Sequence, residues 1–171
     1  MRFITVLLMV FFVSISLHAD EIEVGDVSPS FIGKTLDNKK IELSEMTDKV
    51  VVVTFWASWC GPCLRELPVL DAIQKLVSTD HLQVVAVNFG EAKRNIKHIM
   101  QQLPESNIQF AQDPRKYSSN KYYVKGIPHM VIIDRQGKVA HIHIGYGDGT
   151  AERLSQELYD LLRRQPAQSA T

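Results

Sequence analysis

Trp59-Cys60-Gly61-Pro62-Cys63 contains the only two cysteines of the chain, with two residues between them. A pair at this spacing can exchange a disulfide with another thiol, supply half of a zinc site, or close a structural disulfide. A bond over so short a loop restrains the unfolded chain little, so a structural role gains little from it. Zinc requires further ligands, and His81, His98, His129, His141 and His143 have no finger-like spacing to the cysteines. No metal is expected. Thiol-disulfide exchange is the reading that the spacing favours.

The surrounding residues decide how each sulfur would react. Val50 to Phe55 is almost entirely β-branched or aromatic, which predicts a strand buried on both faces at the centre of a sheet. Leu64, Leu67, Leu70, Ile73 and Val77 then recur at spacings of three and four, the pattern of a helix with one buried stripe, with a kink expected at Pro68. Cys60 therefore falls at a helix N-terminus, where unpaired backbone N–H groups and the helix dipole favour thiolate over thiol. Cys63, one turn further in, is the expected resolving thiol that attacks the mixed disulfide. Pro62 fits the first helical turn, where its missing N–H costs little.

Other elements follow from pattern. Phe31 to Leu36 and Ile41 to Leu43 flank a turn-rich Asp37-Asn38-Lys39-Lys40, an N-terminal hairpin. Leu82 to Asn88 reads as a second buried strand, so strand, helix and strand form a parallel crossover. Ala92 to Leu103 and Thr150 to Arg164 read as helices, Met130 to Asp134 and Val139 to Ile144 as a closing hairpin, and the tail from Gln165 as frayed. His141 and His143 share one face of the last strand, opposite Ala140, Ile142 and Ile144, and read as its outward polar face.

The 171 residues are 45% hydrophobic and 22% charged, with 19 basic side chains balanced by 19 acidic ones. This is the composition of one globular domain without the basic footprint of a nucleic-acid binder. Arg2 followed by an uncharged run from Phe3 to Leu17 reads as a secretory signal peptide, or as a retained membrane anchor through residues 3–17. Residues 1–19 are assigned to this segment and residues 20–171 to the folded domain, which is expected to be periplasmic or otherwise exported.

Phe55-Trp56-Ala57-Ser58-Trp59-Cys60-Gly61-Pro62-Cys63 resembles the active-site segment of the thioredoxin superfamily. Gly126-Ile127-Pro128, just before a strand, is similar to that superfamily's cis-proline loop. Val85 to Glu91 and Pro29-Ser30-Phe31 resemble the exported TlpA/ResA-like branch of thiol-disulfide oxidoreductases. The resemblance covers Gly25 to Leu162. It implies a thioredoxin fold, an α/β class with a central mixed β-sheet flanked by helices and an N-terminal β-hairpin extension.

The resemblance also implies roles. Cys60 and Cys63 form the redox-active disulfide, and a cis bond before Pro128 exposes the Ile127 backbone to an extended substrate segment. Trp59 shields the dithiol and contacts substrate, and Trp56 packs beside it. Thr54 stands where many thioredoxins carry a buried Asp that assists proton transfer at the inner thiol, so Glu91 becomes the candidate base for Cys63. A plain helix-start charge is the other reading of Glu91. No cofactor is implied. The implied partners are protein thiols and disulfides, apocytochrome c among them, and a membrane thiol-electron donor that recharges a reductant working in an oxidising compartment. A general disulfide reductase or isomerase, and a redox-gated binding module, are the alternatives.

Overall fold

The computed structural model describes residues 21–164. The expected signal or anchor segment and the tail from Gln165 lie outside those residues. Seven strands form one mixed sheet in the order β2-β1-β5-β4-β3-β6-β7. The strands are β1 (Phe31–Lys34), β2 (Lys40–Glu42), β3 (Val50–Trp56), β4 (Leu82–Asn88), β5 (Gln109–Gln112), β6 (His129–Ile133) and β7 (Val139–Ile144). The helices are α1 (Gly61–Val77), α2 (Lys93–Met100), α3 (Tyr117–Lys121) and α4 (Thr150–Arg163). This is the thioredoxin fold, with β1 and β2 as the N-terminal hairpin.

All of β3 is buried, and its alternation feeds two cores. Val50, Val52 and Trp56 pack with Leu67, Leu70, Ile96, Leu154 and Leu158 under α1, α2 and α4. Val51, Val53 and Phe55 face Ile32, Ile41, Tyr122, Val131 and Ile133 on the other side. A strand with apolar partners on both faces has no polar register to lose, which accounts for its unbroken β-branched run.

Two elements were not expected. β5 is four residues with a glutamine at each end, too short and too polar in outline for periodicity to register, although most of it is buried. α3 is a five-residue helix entered through Lys116 in the left-handed region (φ 54°). Helix α1 runs unbroken through Pro68. α2 stops at Met100, short of Leu103.

The face assigned to His141 and His143 requires correction. They pair across the ladder with Ile132 and Met130, whose side chains belong to the core under α1 and α4. Both imidazoles are turned toward α4 rather than to open solvent. His143 Nε2 lies 2.6 Å from Glu157 Oε2 and His141 Nδ1 lies 3.6 Å from Oε1. A register shift between Ile132 and Ile133 breaks the simple alternation and gives Ala140 to the same core.

Candidate active site

Trp56, Asn88 and Gln112 stand in one row at the carboxyl ends of β3, β4 and β5. The loops leaving this edge converge, as sites do in sheets of this kind. β3 continues into a turn closed by Cys60 N–H on Ala57 O (3.1 Å), and Cys60 is the N-cap of α1. Its Sγ accepts a hydrogen bond from Cys63 N–H at 3.3 Å. The two sulfurs form a disulfide of 2.05 Å. Cys60 is 5% exposed and Cys63 is fully buried, so an incoming group meets Cys60 first. Pro62 lies in the first turn of α1. A side chain at Gly61 would meet only the Arg65 guanidinium, at 3.8 Å.

The cis peptide is present between Ile127 and Pro128. β6 runs antiparallel to β3, which brings this loop to the dithiol end of the sheet. Pro128 O accepts from Gly145 N–H at 2.8 Å, tying the loop to the end of β7. Trp59, the residue before Cys60, is 68% exposed. Trp56 is fully buried and meets Phe110 edge-on at 5.9 Å.

The two acids near the dithiol differ from expectation. Glu91 takes four donors: Ser58 N–H at 2.7 Å, Ser58 Oγ at 2.6 Å, Asn88 Nδ2 at 2.8 Å and Asn95 Nδ2 at 2.9 Å. Burial alone would raise its pKa, but the hydrogen bonds from Ser58, Asn88 and Asn95 outweigh that and hold it below the usual value. Such a carboxylate is a poor proton acceptor. Its hydrogen bonds tie down the Ala57-Ser58-Trp59 turn, a positioning use of this carboxylate beside the expected one as base for Cys63.

Glu66 was missed by the reading of the sequence. It lies three residues beyond Cys63 on α1, 2% exposed, and among the described residues its one side-chain hydrogen bond comes from Thr54 Oγ1 at 2.6 Å. Burial pushes its pKa up to about 7, against the opposing pull of Thr54. The signal was available: Glu66 is a charged residue one position before Leu67, on the helix side that faces β3, and Thr54 alternates onto that same face. Tyr146, on the loop tied to Pro128, is held high by burial and by the charges of Glu66 and Glu152, with Arg65 opposing. His129, weighed above only as a zinc ligand, is 4% exposed, and among the described residues neither ring nitrogen has a hydrogen-bond partner. Burial lowers its pKa.

Among the described residues, no group of three or more His, Cys, Asp or Glu side chains is placed to hold a metal ion. Among the same residues, no helix is long and apolar enough to cross a membrane.

Comparison with known proteins agrees with this geometry. The thioredoxin-like protein YneN of Bacillus subtilis is 35% identical over 138 residues, covering 80% of this chain and 79% of that protein. The thiol-disulfide oxidoreductase ResA of Geobacillus thermodenitrificans is 27% identical over 164 residues, covering 92% of each. A crystal structure of a DsbE-type thiol:disulfide interchange protein from Chlorobium tepidum superposes with a TM-score of 0.76 at 34% identity, covering 83% of this chain and 99% of that one. These similarities place the chain among thiol-disulfide oxidoreductases of the ResA/DsbE type. The family model described as Redoxin matches residues 23–158, and the chain belongs to that family, in the ResA-like branch of the thioredoxin superfamily.

Proposed function

We propose that this oxidoreductase reduces protein disulfides outside the cytoplasm, with apocytochrome c as a client and a membrane thiol carrier as its electron donor. The observation that carries the exchange chemistry is the asymmetry of the dithiol. One cysteine keeps slight exposure at a helix N-terminus, and the other is fully buried one turn from an acid whose pKa is about 7. Export rests on Arg2 and the apolar run that follows it. If that run is retained, it anchors the domain to the membrane, which holds it beside its donor.

In the reduced protein, the Cys60 thiolate attacks one sulfur of the client disulfide, breaking that bond and releasing the other sulfur as a thiolate. Glu66 accepts the Cys63 proton, and the Cys63 thiolate attacks Cys60 Sγ in the mixed disulfide. The second client thiol leaves, two electrons have passed to the client, and the protein holds the Cys60–Cys63 bond. A dithiol donor restores the reduced form. Trp59, Ile127 and Pro128 contact the client around Cys60, and an extended segment pairs with the Ile127 backbone. Glu91 positions the turn through Ser58 and is a positioning residue.

Cys63→Ser, expressed with the native N-terminus, tests the proposal, because Cys60 can attack a client that nothing then releases. Non-reducing gels should show trapped exported proteins, with apocytochrome c prominent and nothing trapped by the double serine variant. Many unrelated trapped proteins would replace the dedicated role with general disulfide repair. If nothing is trapped and the purified protein fails to reduce insulin with a thiol donor, a redox-gated binding module takes the place of the reductant.

A further inference from the structure

The row of carboxyl-edge residues extends past the dithiol. Trp56, Asn88, Gln112, Lys34 and Lys40 follow one another across β3, β4, β5, β1 and β2. At the far end of that row lies a groove of about 690 Å³ between the β1–β2 hairpin and the β5–α3 loop. Lys34, Lys40 and Arg115 line it, all exposed, and among the described residues none makes an ion pair. Phe31 and Tyr117 form an edge-to-face ledge beside them, with ring centres 5.5 Å apart, and Tyr117 is 58% exposed.

The acids of the groove are engaged elsewhere. Glu42 accepts from Ser30 Oγ at 3.0 Å, and buried Asp113 accepts from the N–H and hydroxyl of Ser119 at 2.7 and 2.8 Å. Three exposed cations therefore face one half-buried and one buried carboxylate, which leaves the groove net positive on a protein whose overall charge is zero. Lys116 joins the groove to the site. Its Nζ stands 3.9 Å over the Phe89 ring, and Phe89 leads through Gly90 to the Glu91 that holds Ser58.

Reach decides what such a groove can meet. Three strand spacings of ~4.8 Å separate β1 from β3, about 14 Å. A protein partner covering ~800 Å² has a footprint of roughly 16 Å radius, so one seated on Cys60 reaches the near side of the groove. We propose that this groove is a second contact for the protein that exchanges disulfides at Cys60, and that it takes an acidic segment of that partner carrying an apolar or aromatic side chain. This rests on the exchange reading of Cys60. The cations steer the acidic segment and the ledge receives its apolar residue, which raises the rate of productive encounter with that partner over others.

Peptides test this without knowledge of the partner. A peptide cysteine is held as a mixed disulfide with thionitrobenzoate, followed by a six-residue Gly/Ser spacer and a tail of three acidic residues and one phenylalanine. Attack on the peptide sulfur by the Cys60 thiolate of the reduced protein releases the coloured thiolate. At low salt the acidic peptide should react about tenfold faster than its amide counterpart. A spacer of two residues, spanning about 7 Å, should remove most of that advantage. Lys34→Glu/Lys40→Glu/Arg115→Glu should abolish it, and the milder Lys34→Gln/Arg115→Gln should reduce it, while reduction of the uncharged small disulfide bis(2-hydroxyethyl) disulfide stays at the wild-type rate. Equal rates for acidic and amide peptides, or a preference that survives the triple reversal, overturn the proposal. A fluorescent acidic peptide with serine for cysteine reads the groove alone by anisotropy on the oxidised protein. Binding lost in the triple variant supports the groove even if exchange fails, and binding indifferent to the reversal overturns it.

Discussion

Glu66 and Glu91 are both carboxylic acids within one loop or one helical turn of the same dithiol, and their surroundings drive them in opposite directions. Glu66 is buried under α1 with a single hydroxyl for company, and its pKa rises to about 7. Glu91 is half-buried, but four N–H and O–H groups aim at its two oxygens and its pKa falls. Burial is unfavourable to charge in both places. The supply of donors decides the outcome: the first acid is poised to move a proton near neutral pH, and the second is locked as a charged strut.

The sharpest way to break that contrast is Glu66→Gln. Its amide should slow the resolving step roughly 100-fold at pH 7 and erase the inflection near that pH, followed by stopped-flow tryptophan fluorescence. An unchanged profile would return the proton to Glu91 or to water. The same variant reads stability. A pKa raised from 4.5 to about 7 in the folded state gives stability fully present below pH 4.5 and lost as pH rises through 7, about 3 kcal/mol in all. Urea titrations across that window should slope downward in the wild type and stay level in the glutamine variant.

Glu91→Ala comes next. It strands the donors of Ser58, Asn88 and Asn95 and should cost about 2 kcal/mol in urea unfolding, with Glu91→Gln losing less. Because its folded pKa is depressed, the stability that Glu91 contributes is present above the ordinary carboxylate range and fades as pH falls through its folded value. A Glu91 variant of full stability with an altered pH profile of exchange would reverse the roles of the two acids. On the opposite face of the sheet His129 gives a smaller effect of opposite slope to that of Glu66. Its lowered pKa means that stability is lost as pH falls below the ordinary imidazole value, and His129→Leu should flatten that acid limb in a pH series of thermal melts. The smallest change expected is from Thr54→Val, which removes the one hydrogen bond to Glu66 and should move the resolving-step inflection to higher pH by less than about one unit.

The centre of the fold was legible because its physics is local. The run Val50 to Phe55 can satisfy itself only between two apolar layers, and the leucine stripe of α1 can be read from spacing alone. The dithiol was legible for the same reason, since strand, turn and helix start are consecutive in sequence. β5 and α3 were not, because four and five residues carry too little pattern and are held by contacts with β4 and β1 that lie far off in the chain. The acids were half legible. Glu91 was found by its place in a resembling segment, but its role depends on where Asn88, Asn95 and the Ser58 N–H point, which no spacing discloses. Glu66 sits on a buried stripe where a charged residue is conspicuous, yet only the packing of α1 on β3 shows that Thr54 donates to it.

Gly61 stands at the centre of the dithiol loop with nothing but a flexible guanidinium near the place where a side chain would grow. Among the described residues only Arg65 lies against Gly61, so this position can take a side chain while the scaffold around it stays as it is. A carboxylate or an ammonium placed there would bear directly on the Cys60 sulfur, favouring its thiol or its thiolate in turn. The position is a dial for redox poise that can be turned by one codon, leaving strand, helix and proline loop untouched.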